Sequence, residues 1–156
     1  MEMKTEKPLT YLLGRTFNLM RMKLKESFRE NNIDVSMEQF FVLNLIDHKD
    51  DLTQQDLANH FQKDKSLILR HVNTLIEDSY VDRKTDDADK RKKILIMTEK
   101  GKEVLEQLKG VARKVSDDLM AGITEKEKEV FHTVIQKIQN NTGQVDLFSN
   151  IEVCKK

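Results

Sequence analysis

The sequence predicts a mainly α-helical protein with one small β-hairpin. Three observations carry that expectation. Apolar residues recur at helical spacing over most of the chain. Punctuation is sparse, with one proline and five glycines. Only between residues 80 and 97 does the period change, to two short strand-like pieces separated by charge.

The first helix is expected behind Pro8, a residue suited to a first helical turn. Leu9, Leu12, Leu13, Phe17, Met20, Leu24 and Phe28 form its stripe. The second opens at Ser36-Met-Glu-Gln39, where serine and glutamine can satisfy each other's backbone amides as a capping box. Phe40, Phe41, Leu43, Leu45 and Ile46 follow, and the helix stops near the charged stretch 47–51. Thr53-Gln-Gln-Asp56 is a weaker cap for a short third helix with Leu57, Ala58 and Phe61 inward. Asp64 is the expected cap of a fourth, running to about Asp78. At 100° per residue, Ile68, Val72, Leu75 and Ser79 share one face of it, and Ser66, Arg70, Asn73 and Glu77 the other.

The strands are read at Tyr80–Lys84 and Ile94–Met97. Thr98 is the expected cap of a fifth helix, with Val104, Leu105, Leu108, Val111, Ala112, Val115 and Leu119 in its stripe. Thr124-Glu-Lys-Glu127 is a clear capping box for the sixth, which carries Val130, Phe131, Val134, Ile135 and Ile138 and ends by Gly143. Two short helices with a tight connection at 62–64 suggest a helix-turn-helix, and the hairpin after them is its wing. The expected division is an N-terminal helix at 1–35, a winged helix-turn-helix at 36–98, and C-terminal helices and tail at 99–156.

Composition narrows the function. The chain is 38% hydrophobic and 35% charged, lean for an isolated globule and in keeping with helices that complete their burial in a partner. Lys+Arg and Asp+Glu number 27 each, so affinity for nucleic acid must come from local patches. Residues 83–93 are such a patch, with six basic residues against three acidic ones. On its own that run reads equally as a solvated loop. There is no apolar run long enough to span a membrane and no secretory leader pattern, and the one cysteine, Cys154, permits no disulfide within the chain. A cytoplasmic location is expected. No Gly-rich phosphate loop, Gly-x-Ser-x-Gly, His-Glu-x-x-His or Cys-x-x-Cys motif is present, so no enzyme, no catalytic residue and no cofactor are expected. His48, His60, His71 and His132 show no ligand spacing, and no metal site is expected.

Three segments together resemble the MarR-type winged helix-turn-helix transcription regulators: LTQQDLANHF (52–61), DKSLILRHVNTLIEDSYVDRK (64–84) and DKRKKILIMTEKG (89–101). The last is the most specific, with Asp-x-Arg in the wing, a short apolar strand and a Thr-x-x-Gly helix start. The resemblance implies a homodimer paired through its terminal helices. It implies a pseudo-palindromic double-stranded DNA operator as partner, with no membrane involved. It also implies a repressor relieved by a small, often aromatic or phenolic, effector. Two departures stand out. Leu67 and Leu69 occupy positions where the family commonly has small hydroxyl residues, and Ser79 replaces the glycine that usually ends the recognition helix.

On this reading the fourth helix enters the major groove with Lys65, Ser66, Leu67, Leu69, Arg70 and Asn73, of which Arg suits guanine and Asn adenine. Thr53, Gln54 and Gln55 approach phosphates. Arg91 enters the minor groove, oriented by Asp89, with Lys90, Lys92 and Lys93 near phosphates. Tyr11, Arg15 and His48, with Phe17, are ligand-contact candidates beside the family's pocket. Two alternatives stay open: a winged-helix module that binds another protein, and a redox-sensing regulator using Cys154.

Overall fold

The structure is a computed structural model that describes residues 7–61 and 65–144, with side chains described except at 60, 61 and 65. The elements are α1 (Leu9–Glu30), α2 (Met37–His48), α3 (Gln54–Phe61), α4 (Lys65–Glu77), β1 (Val81–Thr85), β2 (Lys93–Met97), α5 (Glu99–Leu119) and α6 (Glu125–Asn141). Six helices and one hairpin thus stand where they were expected. The cap expected at Asp64, the connection 62–64 and Cys154 lie outside the described residues.

Local chemistry sets the boundaries. Ser36 Oγ accepts from the Gln39 amide while Gln39 Oε1 accepts from the Ser36 amide, closing the box that starts α2. Thr124 and Glu127 do the same for α6. At α3 the shorter Asp56 serves: its carboxylate accepts from the Thr53 amide at 2.9 Å, and Thr53 Oγ1 accepts from the Asp56 amide at 3.1 Å. Two helices end in left-handed residues other than glycine. Asn32 (φ 56°) follows α1, and Ser79 (φ 62°) follows α4. Beyond Ser79 the Tyr80 amide reaches back to the Leu75 carbonyl, and the Ser79 amide to that of Ile76, the paired bonds of a Schellman ending. Serine here does what glycine does more cheaply.

The start of α5 is fastened to the end of α4. Thr98 Oγ1 accepts from the Gly101 amide and donates to the Ser79 carbonyl at 2.7 Å. Lys100 Nζ donates to the Asp78 carbonyl at 2.7 Å. Gly101 packs so closely that a Cβ there would overlap the Tyr80 carbonyl oxygen. The Thr-x-x-Gly pattern is therefore a joint: the threonine ties three segments together and the glycine lets them touch.

The hairpin is antiparallel, Val81 opposite Met97 and Thr85 opposite Lys93. The Leu95 amide donates to the Leu52 carbonyl, and Thr53 bridges to Ile94, so the segment before α3 flanks β2. One core holds all this together, with Phe40, Leu43, Leu57, Val72, Leu75, Leu105 and Leu108 essentially sealed. Phe28 of α1 meets Phe40 edge-to-face at 5.6 Å. The core runs from Phe28 to Ala112, across both expected boundaries at 35/36 and 98/99. Outside it, α6 has no buried residue. The front of α1 is equally bare, with Leu9, Tyr11, Leu12 and Phe17 exposed. No helix among the described residues is long and apolar enough to cross a membrane.

Candidate nucleic-acid interface

Helix α4 is split by its periodicity. Ile68, Val72 and Leu75 are buried against the core, while Ser66, Leu69 and Arg70 are exposed and Asn73 is half-buried. Lys65 begins the helix. Leu69 is 45% exposed, an apolar side chain on the outer surface. Leu67 is turned partly inward, onto a cleft described below.

The hairpin tip, Asp86–Lys92, is ordered from within. Asp86 Oδ1 accepts from the amides of Ala88 (2.7 Å) and Asp89 (3.0 Å), and the Asp86 amide donates to the Lys92 carbonyl. These bonds, from Asp89 first and then Ala88, hold the Asp86 carboxyl below the usual carboxylate range. The Asp89 carboxylate accepts from the Arg91 backbone amide at 3.0 Å. The guanidinium was the expected contact; the one found is to the main chain, because a two-residue step along a turn brings the amide within reach first. Lys90, Arg91 and Lys92 stand exposed on this tip. Lys93 donates to Thr85, and Lys84 pairs with Asp87 at 3.5 Å.

At the start of α3, the Thr53 hydroxyl is engaged by Asp56, Gln54 is half-buried, and exposed Gln55 donates to Asn59. The cap bonds, the Thr53 hydroxyl foremost, also lower the pKa of Asp56. The structure joins α4 to the hairpin directly: Arg83 Nη2 donates to Asn73 Oδ1 at 2.5 Å. Neither this contact nor the part of Asp86 was anticipated. The second had a readable signal, an aspartate opening a tight charged turn; the first had none, since it depends on the angle between helix and hairpin.

A cleft of about 210 Å³ lies between α1, α2 and α4, lined by Phe17, Arg21, Glu38, Phe41, Leu67, Ile68 and His71. Arg21 bridges to Glu38 at 3.1 Å across it. Of the ligand candidates, Phe17 lines it. Tyr11 is exposed under Lys7, Arg15 is exposed, and His48 Nδ1 lies 2.8 Å from the Asn44 carbonyl at the end of α2, so these three are not part of the cleft. Among the described residues no three His, Cys, Asp or Glu side chains are grouped to hold a metal.

Comparison with known proteins places this geometry. Residues 35–93 match the sequence model of the MarR family. The chain is 26% identical over 114 residues to the HTH-type transcriptional regulator BilQ of Clostridium symbiosum, covering 73% of this chain and 78% of that protein. A crystal structure of MarR superposes with a TM-score of 0.74 at 25% identity, over 91% of this chain and 95% of that one. A crystal structure of the MepR–DNA complex of S. aureus superposes with a TM-score of 0.75 at 22% identity, over 87% and 99%. Residues 35–93 thus carry the sequence pattern of the MarR family, and the fold as a whole is similar to that of the solved MarR structure.

Proposed function

We propose that this protein is a MarR-type regulator: a cytoplasmic, homodimeric, sequence-specific DNA-binding repressor of transcription, relieved by a small aromatic or phenolic effector. The observation that carries the reading is the joint presentation of α4 and the hairpin. The outer side of α4 offers Ser66, Leu69 and Arg70, and the adjoining tip offers Lys90, Arg91 and Lys92, exposed, in a protein whose net charge is zero. An arginine on a helix suits the O6 and N7 of guanine. An arginine on a thin loop suits the negative potential of a narrow minor groove.

The bare faces of α1 and α6 support pairing with a second copy. Phe17 is 59% exposed and Phe131 is 55% exposed, and amphipathic helices of this kind bury their stripe against something. A two-fold pair would set two copies of α4 about one helical turn of duplex apart. The cleft beside α4 supports the effector. Phe17 and Phe41 offer aromatic walls, Arg21 and His71 offer polar contacts, and Leu67 and Ile68 connect any occupant to the helix that reads DNA.

The test is to select duplexes from a random library with the purified protein and titrate the enriched sequence at several salt concentrations. Specific binding that weakens steeply with salt is expected, because neutralised phosphates release counterions. Weak binding, equal for enriched and random duplexes, would favour a protein-interaction module instead. Aromatic acids added to the complex are expected to release the DNA.

A further inference from the structure

Arg83 stands where strand geometry would place an inward residue. Alternation puts Val81, Arg83 and Thr85 on one face of β1, and the register sets Arg83 opposite Leu95. Val81 and Leu95 are buried, so this face is turned to the core, yet Arg83 is exposed. An arginine stem is long enough to leave an apolar floor and carry its charge to water. On the way it meets α4, where its Nη2 donates to Asn73 Oδ1 at 2.5 Å.

That contact changes what each partner can do. Reading adenine requires the Asn carboxamide oxygen to accept from N6 while its nitrogen donates to N7. Here the oxygen is engaged by Arg83. A guanidinium has five N–H donors in a rigid fork, and Asn73 uses one of them. The rest of the fork is held at the corner between α4 and the hairpin. Lys93 lies on the same face of the hairpin, tied to Thr85, and continues the positive charge toward the tip. A planar fork held in place suits a phosphate better than a freely swinging ammonium does.

We propose that Arg83 contacts a DNA phosphate at the corner between the recognition helix and the wing, and that Asn73 is a positioning residue that aims it rather than a reader of bases. The inference rests on the DNA-binding reading above. Its test is a double-mutant cycle on the duplex enriched by the wild-type protein. Arg83→Ala is expected to weaken binding roughly 10-fold and to lower the slope of log affinity against log salt by about one. Asn73→Ala is expected to weaken it less, and the double variant to match Arg83→Ala alone. Asn73→Asp discriminates further: a carboxylate still accepts from the guanidinium but cannot donate to adenine N7. It is expected to stay within a few-fold of wild type and to keep the same base preferences. Additive single effects, or an altered preference at one base pair in Asn73→Asp with Arg83→Ala unchanged, would overturn the proposal and make Asn73 the reader. A wild-type protein that enriches no duplex would instead overturn the DNA-binding reading and this inference with it. Both side chains reach the surface, so thermal melts that overlay the wild type establish that the variants are folded.

Discussion

The winged middle of the molecule and its terminal helices are built on opposite terms. Between α2 and β2 the apolar side chains find partners within the chain: Val42, Leu43, Leu57, Val72 and Leu75 are sealed. On α6 the stripe Val130, Phe131, Val134 faces solvent, and on α1 only the last turns, around Ser27 and Phe28, are buried. The two regions have similar amphipathic patterns in sequence. What differs is whether the chain itself supplies the other half of the contact. The middle is covered by the chain's own side chains, including those of Phe28, Leu105 and Leu108, while the front of α1 and the stripe of α6 are left bare.

The largest expected effect tests that distinction. Phe131→Glu places a charge on the bare face of α6 and should weaken dimerisation by at least about 2 kcal/mol, roughly 30-fold in Kd. Sedimentation across a concentration series checks it. An unchanged dimer would mean that α6 is not in the interface. Within the covered part, Gly101→Ala forces a Cβ against the Tyr80 carbonyl. It should cost about 1–3 kcal/mol of stability, read by thermal or denaturant unfolding. A neutral result would show that the joint between α4 and α5 is loose.

On the side proposed to face DNA, Arg91→Ala should lose about 1–3 kcal/mol of operator affinity. Lys84→Ala should lose less, since Lys84 pairs with Asp87. Equal losses in fluorescence-anisotropy titrations would remove the special place of the tip arginine. Ser79→Gly relieves a left-handed serine and should stabilise the fold by about 0.5–1 kcal/mol, a rise in Tm without change in DNA affinity.

The smallest effect is acid sensitivity. Asp56 and Asp86 are held below their ordinary pKa, Asp56 by the Thr53 hydroxyl and Asp86 by the Asp89 amide. A depressed folded pKa stabilises the folded form at neutral pH, and the contribution fades as pH falls from about 4 toward the lower folded value. Asp56 is exposed and Asp86 is half-buried in a surface turn, so only the α3 start and the hairpin tip should loosen, seen by NMR of those amides. A tip unaffected by acid would remove the role given to Asp86.

How much of this was legible follows from range. Ser36 with Gln39, Thr124 with Glu127 and Thr98 with Gly101 act over three residues, so spacing alone located four helix starts once Thr53 with Asp56 is included. The alternation of buried and exposed residues on α4 was equally local. Arg83 with Asn73 spans a helix end, a left-handed turn and part of a strand, and no spacing rule carries through that sequence of angles. Leu67 turned to a cleft shared with Phe17 and Phe41 because α1 crosses there, which depends on tertiary packing. Tyr11, Arg15 and His48 share helices with that cleft but stand on other turns of them, and position along a helix relative to a crossing neighbour is again a matter of tertiary packing.

The most direct measurement is the mass of the protein–DNA complex, by native mass spectrometry or sedimentation on the enriched duplex. Two chains on each duplex, released together as salt is raised, is the predicted result. A single chain on each duplex, with the faces of α1 and α6 still bare, would contradict the account.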